Sequence, residues 1–162
     1  MRRSRLSLLL IAGMLVLGVE KSLADSSNDL AVIVNKKTTV LALTARDLRG
    51  ILLGEKERWP NGQKVFAASL PTDLPETRFV LKQICGMSEG DFKRYFMQLA
   101  FQGKSISPPK ILRTPDAIKA LVSSTPGAVG IIHAREVDES VNVLSLDGVN
   151  PGTANYKLTM TQ

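Results

Sequence analysis

Cysteine and histidine are nearly absent from this sequence, and their scarcity excludes several kinds of chemistry. Cys85 is the only cysteine in 162 residues, so no disulfide can form within the chain and its stability must come from packing. His133 is the only histidine. One imidazole and one thiol fall short of a typical zinc set, so no metal site is expected. Aromatic residues make up 5% of the chain, and no lysine and arginine block is interleaved with them, which removes the electrostatic footprint of a nucleic-acid binder. No nucleophile elbow, phosphate loop or zinc signature occurs. Asp138 and Glu139 are adjacent carboxylates in a turn-like segment, where they face water rather than form an acid and base pair. These absences predict a protein that is not an enzyme and carries no cofactor.

Long apolar runs are also missing. The longest, Leu6 to Val19, follows Arg2, Arg3 and Arg5 and precedes Ser22-Leu23-Ala24. At about 14 residues it is shorter than the roughly 20 that span a hydrocarbon core. Its flanks predict a secretory signal peptide over residues 1–24, cleaved before Asp25, in preference to a retained anchor. A periplasmic or secreted product follows, with no stable membrane insertion after cleavage. The leader holds four of the 21 basic residues and one of the 15 acidic ones, so the balance beyond it is 17 to 14, a charge of +3 rather than +6. Residues 25–162 are enough for one α/β domain, with its core expected at about 30–148.

Within that domain, apolar period and capping chemistry alternate between strand and helix. Leu30 to Val34 is a β-branched run that reads as a strand buried on both faces. Thr44 with Asp47 caps a helix whose Leu48, Ile51 and Leu52 share a face, and Gly54 follows its end. After the turn Trp59-Pro60-Asn61-Gly62, a second strand is expected over Lys64 to Ser69. Asp73, Pro75 and Glu76 mark a helix running to Cys85, with Asp73 capping free amides and Glu76 reaching back. Ser88 and Asp91 open a third helix, in which Phe92, Tyr95, Phe96 and Leu99 form a core stripe. Thr114-Pro115-Asp116 opens a fourth, ending near Ser123. Pro126-Gly127 is a turn, and Ala128 to Ile132 and Val141 to Leu146 are the last strands. The tail from Gly148 shows little periodicity. The predicted architecture is a mostly parallel central sheet flanked by helices.

Three motifs then occur in order: Ala31-Val32-Ile33-Val34-Asn35; Leu48-Arg49-Gly50-Ile51-Leu52-Leu53-Gly54-Glu55 with Trp59 beyond it; and Ser124-Thr125-Pro126-Gly127-Ala128-Val129-Gly130. On these motifs the chain resembles one lobe of the phosphate-binding proteins of ABC importers, which have the type II periplasmic binding protein fold. The resemblance runs from about Leu30 to Gly148 and implies a small anion such as phosphate as ligand. Two departures accompany it. The family closes two lobes over phosphate, whereas 138 residues beyond the leader hold one. The family's glycine-serine-glycine-threonine-arginine loop, which offers backbone amides to the anion, is replaced here by Asp73-Leu74-Pro75-Glu76-Thr77-Arg78. Thr77 and Arg78 match the end of that motif. Pro75 has no amide to donate, and Glu76 adds negative charge where an anion would sit, so phosphate affinity weaker than micromolar is expected.

Ser69, Thr72, Thr77 and Arg78 are accordingly the candidate ligand-binding residues. Each has a plainer reading: Arg78 as a solvated or salt-bridged helix residue, Ser69 and Thr72 as capping and turn hydroxyls. Trp59 either packs against the lobe or meets a partner. His133 follows a strand, at a carboxyl end where ligands often lie in parallel sheets. Cys85 suits a small core position better than a thiol nucleophile. Two functional readings stay open: a non-catalytic ligand-binding domain, or an interaction or sensor module with a protein partner in the envelope that has lost its small-ligand site.

Overall fold

The computed structural model of the chain describes residues 28–160, so the expected leader and its cleavage point lie outside the described residues. The first strand, β1 (Leu30–Val34), is buried along its whole length. Successive strand side chains point to opposite faces, and here both faces are covered. Leu30, Val32 and Val34 join one core cluster, while Ala31 and Ile33 join another. The chain continues through β2 (Ala42–Leu43), α1 (Ala45–Leu52), β3 (Phe66–Ser69), α2 (Pro75–Val80), α3 (Glu89–Phe101), β4 (Lys110–Ile111), α4 (Pro115–Ser124), β5 (Ala128–His133) and β6 (Asn142–Leu146). Helices α1, α2 and α3 supply the first cluster, and α4 supplies the second through Ile118 and Val122.

The six strands lie in the order β2-β6-β1-β5-β3-β4. Three of the pairings are parallel, β2 with β6, β3 with β4 and β3 with β5, in keeping with the predicted α/β sheet. The two around β1 are antiparallel. A run of apolar residues buried on both faces reads the same in either direction, so strand polarity has no signature in the sequence.

Local caps form where side chains could reach them. Thr44 and Ser88 each accept from an amide three residues on, and Asp47 and Asp91 reach back, giving two reciprocal capping boxes. Thr114 caps α4 by accepting from the Ala117 amide at 3.2 Å. The expectation at α2 needs correction. The cap position is Leu74, with no side-chain hydrogen bond, and the helix opens at Pro75 rather than Asp73. Glu76 does not reach back to cap, because a partner from β5 takes its carboxylate, as described below. The last turn before Gly86, Leu81–Cys85, is π-helical, and Gly86 ends it with φ 66°.

Two close approaches explain residues of the family-like motifs. The Trp59 side chain is buried, and its Nε1 donates to the Gly127 carbonyl at 2.9 Å. Of its two expected roles, packing is the one observed. Gly127 has φ +83°, and a Cβ there would stand 2.3 Å from the Lys64 carbonyl oxygen, so this turn requires glycine. The strands β2 and β4 escaped prediction because two residues carry no period. β3 begins at Phe66, two residues later than expected. The tail also packs: Tyr156 and Leu158 are buried, the Leu158 carbonyl accepts from the Leu30 amide at 2.9 Å, and the Tyr156 hydroxyl donates to the Leu30 carbonyl at 2.8 Å. No described helix is long and apolar enough to cross a membrane.

Candidate ligand site at the strand ends

Strand β3 ends at Ser69 and its parallel neighbour β5 ends at His133, so both deliver side chains to one edge of the sheet. The antiparallel β1 begins at that edge, with Leu30 in register with His133. Helix α2 starts a few residues beyond β3 and lays Glu76 and Thr77 over the same ends. The resulting cleft is lined by Ser69, Thr72, Glu76, Thr77 and His133 on a wall of apolar side chains, among them Val80, Phe92 and Ile131. The enclosed space is about 20 Å³, room for a single water molecule.

Every candidate residue is engaged within the protein. Ser69 donates its hydroxyl to the Leu70 carbonyl at 2.9 Å, and the buried Thr77 hydroxyl reaches the same oxygen at 3.4 Å. Thr72 donates to Glu89 Oε1 at 3.2 Å, and Arg78 Nε donates to Glu89 Oε2 at 3.3 Å. Thr72 therefore caps no helix, and Arg78, whose side chain is 58% exposed, is salt-bridged. Lys93, one turn along α3, adds a third contact to the same carboxylate. Lys93 most strongly, and Thr72 and Arg78 with it, hold the Glu89 carboxyl below the usual carboxylate range against a desolvation cost. Thr72 and Arg78 thus converge on an anion that the chain itself supplies. Glu89 had no sequence signal beyond its place in the first turn of a helix.

His133 meets Glu76, with Nε2 and Oε1 3.1 Å apart. The imidazole is only 12% exposed, and its Nδ1 and the second Glu76 oxygen are buried with no hydrogen-bond partner. Burial acts to raise the Glu76 pKa, but its own backbone amide and His133 outweigh that, and the carboxyl is lowered. The pair joins positions 57 residues apart, which no local pattern announces. Pro75 lies exposed at the first position of α2, without an amide.

The other candidates stay apart from this cleft. Cys85 is a buried core residue whose thiol is pushed up to about 11 by burial, and it does not line the cleft with His133. Asp138 binds Lys119 Nζ at 2.9 Å and the Ser140 amide, and makes no pair with Glu139. Among the described residues no group of three His, Cys, Asp or Glu side chains is placed to hold a metal ion.

No protein-family model matches the chain. Its fold does match solved structures. A phosphate ABC-type transport receptor from Vibrio cholerae superposes with a TM-score of 0.65 at 21% identity, covering 80% of this chain and 53% of that one. PstS from Borrelia burgdorferi gives 0.64 at 16% identity over the same shares. A Clostridium perfringens protein assigned to phosphate ABC transport, solved with phosphate bound, gives 0.62 at 20% identity, covering 76% of this chain and 46% of that one. The chain therefore has the fold of one lobe of these proteins and spans about half of their length.

Proposed function

We propose that this chain is an extracytoplasmic, non-catalytic recognition lobe that meets a small oxyanion such as phosphate at the ends of β3 and β5. Arg78 is its cationic group, and the hydroxyls of Ser69, Thr72 and Thr77 are its donors. One observation carries this reading: Arg78 and Thr72 already coordinate a carboxylate, Glu89, so the chain has an anion-holding arrangement that an external oxyanion enters by displacing the internal one. Similarity to one lobe of proteins named for phosphate transport supports the ligand class. The export signature and the absence of a catalytic signature support the compartment and the non-catalytic role. Competition from Glu89, the missing Pro75 amide and the Glu76 carboxylate together keep the affinity low.

Calorimetric titration with phosphate, sulfate and small carboxylates tests this. The wild type should bind phosphate with a Kd above micromolar. Arg78→Ala should weaken it by roughly 10-fold to 150-fold, the loss of one charge-assisted contact worth about 1.5 to 3 kcal/mol. Glu89→Gln removes the competing charge while leaving the Ser88 and Asp91 capping box intact, and should tighten binding. An absence of heat in both the wild type and Glu89→Gln would overturn the oxyanion reading.

A second reading rests on the same hydrogen bonds seen from the other side. Since all four candidate side chains are satisfied internally, the lobe is complete without a small ligand, as an interaction or sensor module with a protein partner in the envelope would be.

A further inference from the structure

We propose that an open groove beside the start of β3, at the end of that strand away from the cleft, docks an extended acidic segment of a partner protein. The groove has a volume of about 630 Å³ and runs between α1, the beginning of β3 and the connection that precedes β4. Its apolar surface includes Ile51, Val65, Phe66 and Ile106, and Phe66 is 42% exposed despite its size.

The backbone there is open at one position, since the Val65 amide already donates to the Glu57 carbonyl at 2.8 Å. The Phe66 amide donates to the Gly127 carbonyl at 3.1 Å, on the β5 side. By strand alternation the Ala67 amide turns the other way, toward the groove. Pairing with β4 begins only at Ala68, opposite Lys110. The facing wall contains Pro108 and Pro109, which have no N–H to give. This leaves the Ala67 amide, between the Val65 contact and the β4 pairing, as the edge donor that an added extended segment can engage.

Charge decides the kind of segment. Lys56, Lys64 and Lys110 line the groove against a single carboxylate, Glu57. Lys56 is taken by Asp47. Lys64 instead stands 5.6 Å from the centre of the Phe66 ring, and neither it nor Lys110 pairs with a carboxylate among the described residues. Two uncompensated ammonium groups flanking an apolar strip fit a strand in which carboxylates alternate with aliphatic side chains. This site shares no polar residue with the cleft at the ends of β3 and β5, and the two stand or fall separately.

Fluorescence anisotropy with two blocked seven-residue peptides tests the proposal, one alternating glutamate with valine and the other lysine with valine. The acidic peptide should bind and the basic one should not. The double variant Lys64→Glu with Lys110→Glu should lose the acidic peptide by about tenfold or more and gain the basic one. Phe66→Ser should weaken both interactions. All three positions are exposed, and an unchanged thermal melt verifies that the variants fold. Hydrogen exchange should show the Ala67 amide protected by the acidic peptide, and saturating phosphate should leave this protection unchanged. Equal binding of the two peptides, indifference to charge reversal, or no binding at millimolar peptide would each overturn the proposal.

Discussion

Replacing Asn35 should destabilise the lobe more than any neighbouring polar substitution, because this one side chain ties β1 to the far end of α4. Asn35 is 3% exposed and sits directly after β1. Its Nδ2 donates to the carbonyls of both Val122 and Ser123, each at 2.8 Å, and its Oδ1 accepts from the Lys37 amide at 2.9 Å. The two carbonyls belong to the last turn of α4, where helical carbonyls lack partners of their own. In Asn35→Ala the buried Val122 carbonyl is stranded at about 1 to 3 kcal/mol, and each of the two partly buried bonds adds about 0.5 to 1 kcal/mol. The expected loss is roughly 2 to 5 kcal/mol, which for a domain of this size lowers Tm by about 10 °C or more.

Asn35→Asp sharpens the test. It keeps the acceptor for Lys37 but sets a carboxylate against two carbonyl oxygens, so the charged form is disfavoured and its folded pKa rises above the ordinary value of about 3.9. The deficit should be full at neutral pH, where it exceeds that of alanine, and should shrink as pH falls toward about 4 and the side chain regains a donor. Urea unfolding of the three proteins between pH 4 and pH 7 measures both effects. A loss below about 1 kcal/mol for Asn35→Ala, or an aspartate variant indifferent to pH, would refute the reasoning.

Gly130→Ala should cost about 1 to 3 kcal/mol by overpacking, because the new Cβ would lie 2.4 Å from Ile118 Cγ2 on α4; chemical denaturation measures it. Glu76 has a lowered pKa in the folded state, so it contributes stability above the ordinary glutamate range and loses it as pH falls through that lowered value. Glu76→Gln should therefore flatten the acid limb of the stability curve, as unfolding midpoints between pH 3 and pH 7 would reveal. Cys85, with its thiol pushed up to about 11, should resist a thiol reagent at pH 8 in the folded protein and react promptly once unfolded, so fast labelling of the native chain would contradict its burial.

Features set by near neighbours in the chain were legible without a structure. The run Leu30 to Val34 declared a strand covered on both faces, and Thr44, Ser88 and Thr114 declared three helix starts, because a cap is a contact between residues three apart. Gly127 marked a turn for the same local reason. Where a distant partner competed, the local reading failed: Glu76 has the right place to support a cap, yet β5 brings His133 within 3.1 Å and a buried imidazole is the stronger claim on a carboxylate. Tertiary structure alone decided the antiparallel setting of β1, since its residues bury equally well in either direction. It alone also placed Glu89 against Thr72 and Arg78, 17 and 11 residues away, and Asn35 against the end of α4, 87 residues away. Apolar period and caps report which face a residue shows and where a helix begins. Which polar groups then meet depends on how the faces stack, and that is settled by burial of the whole core.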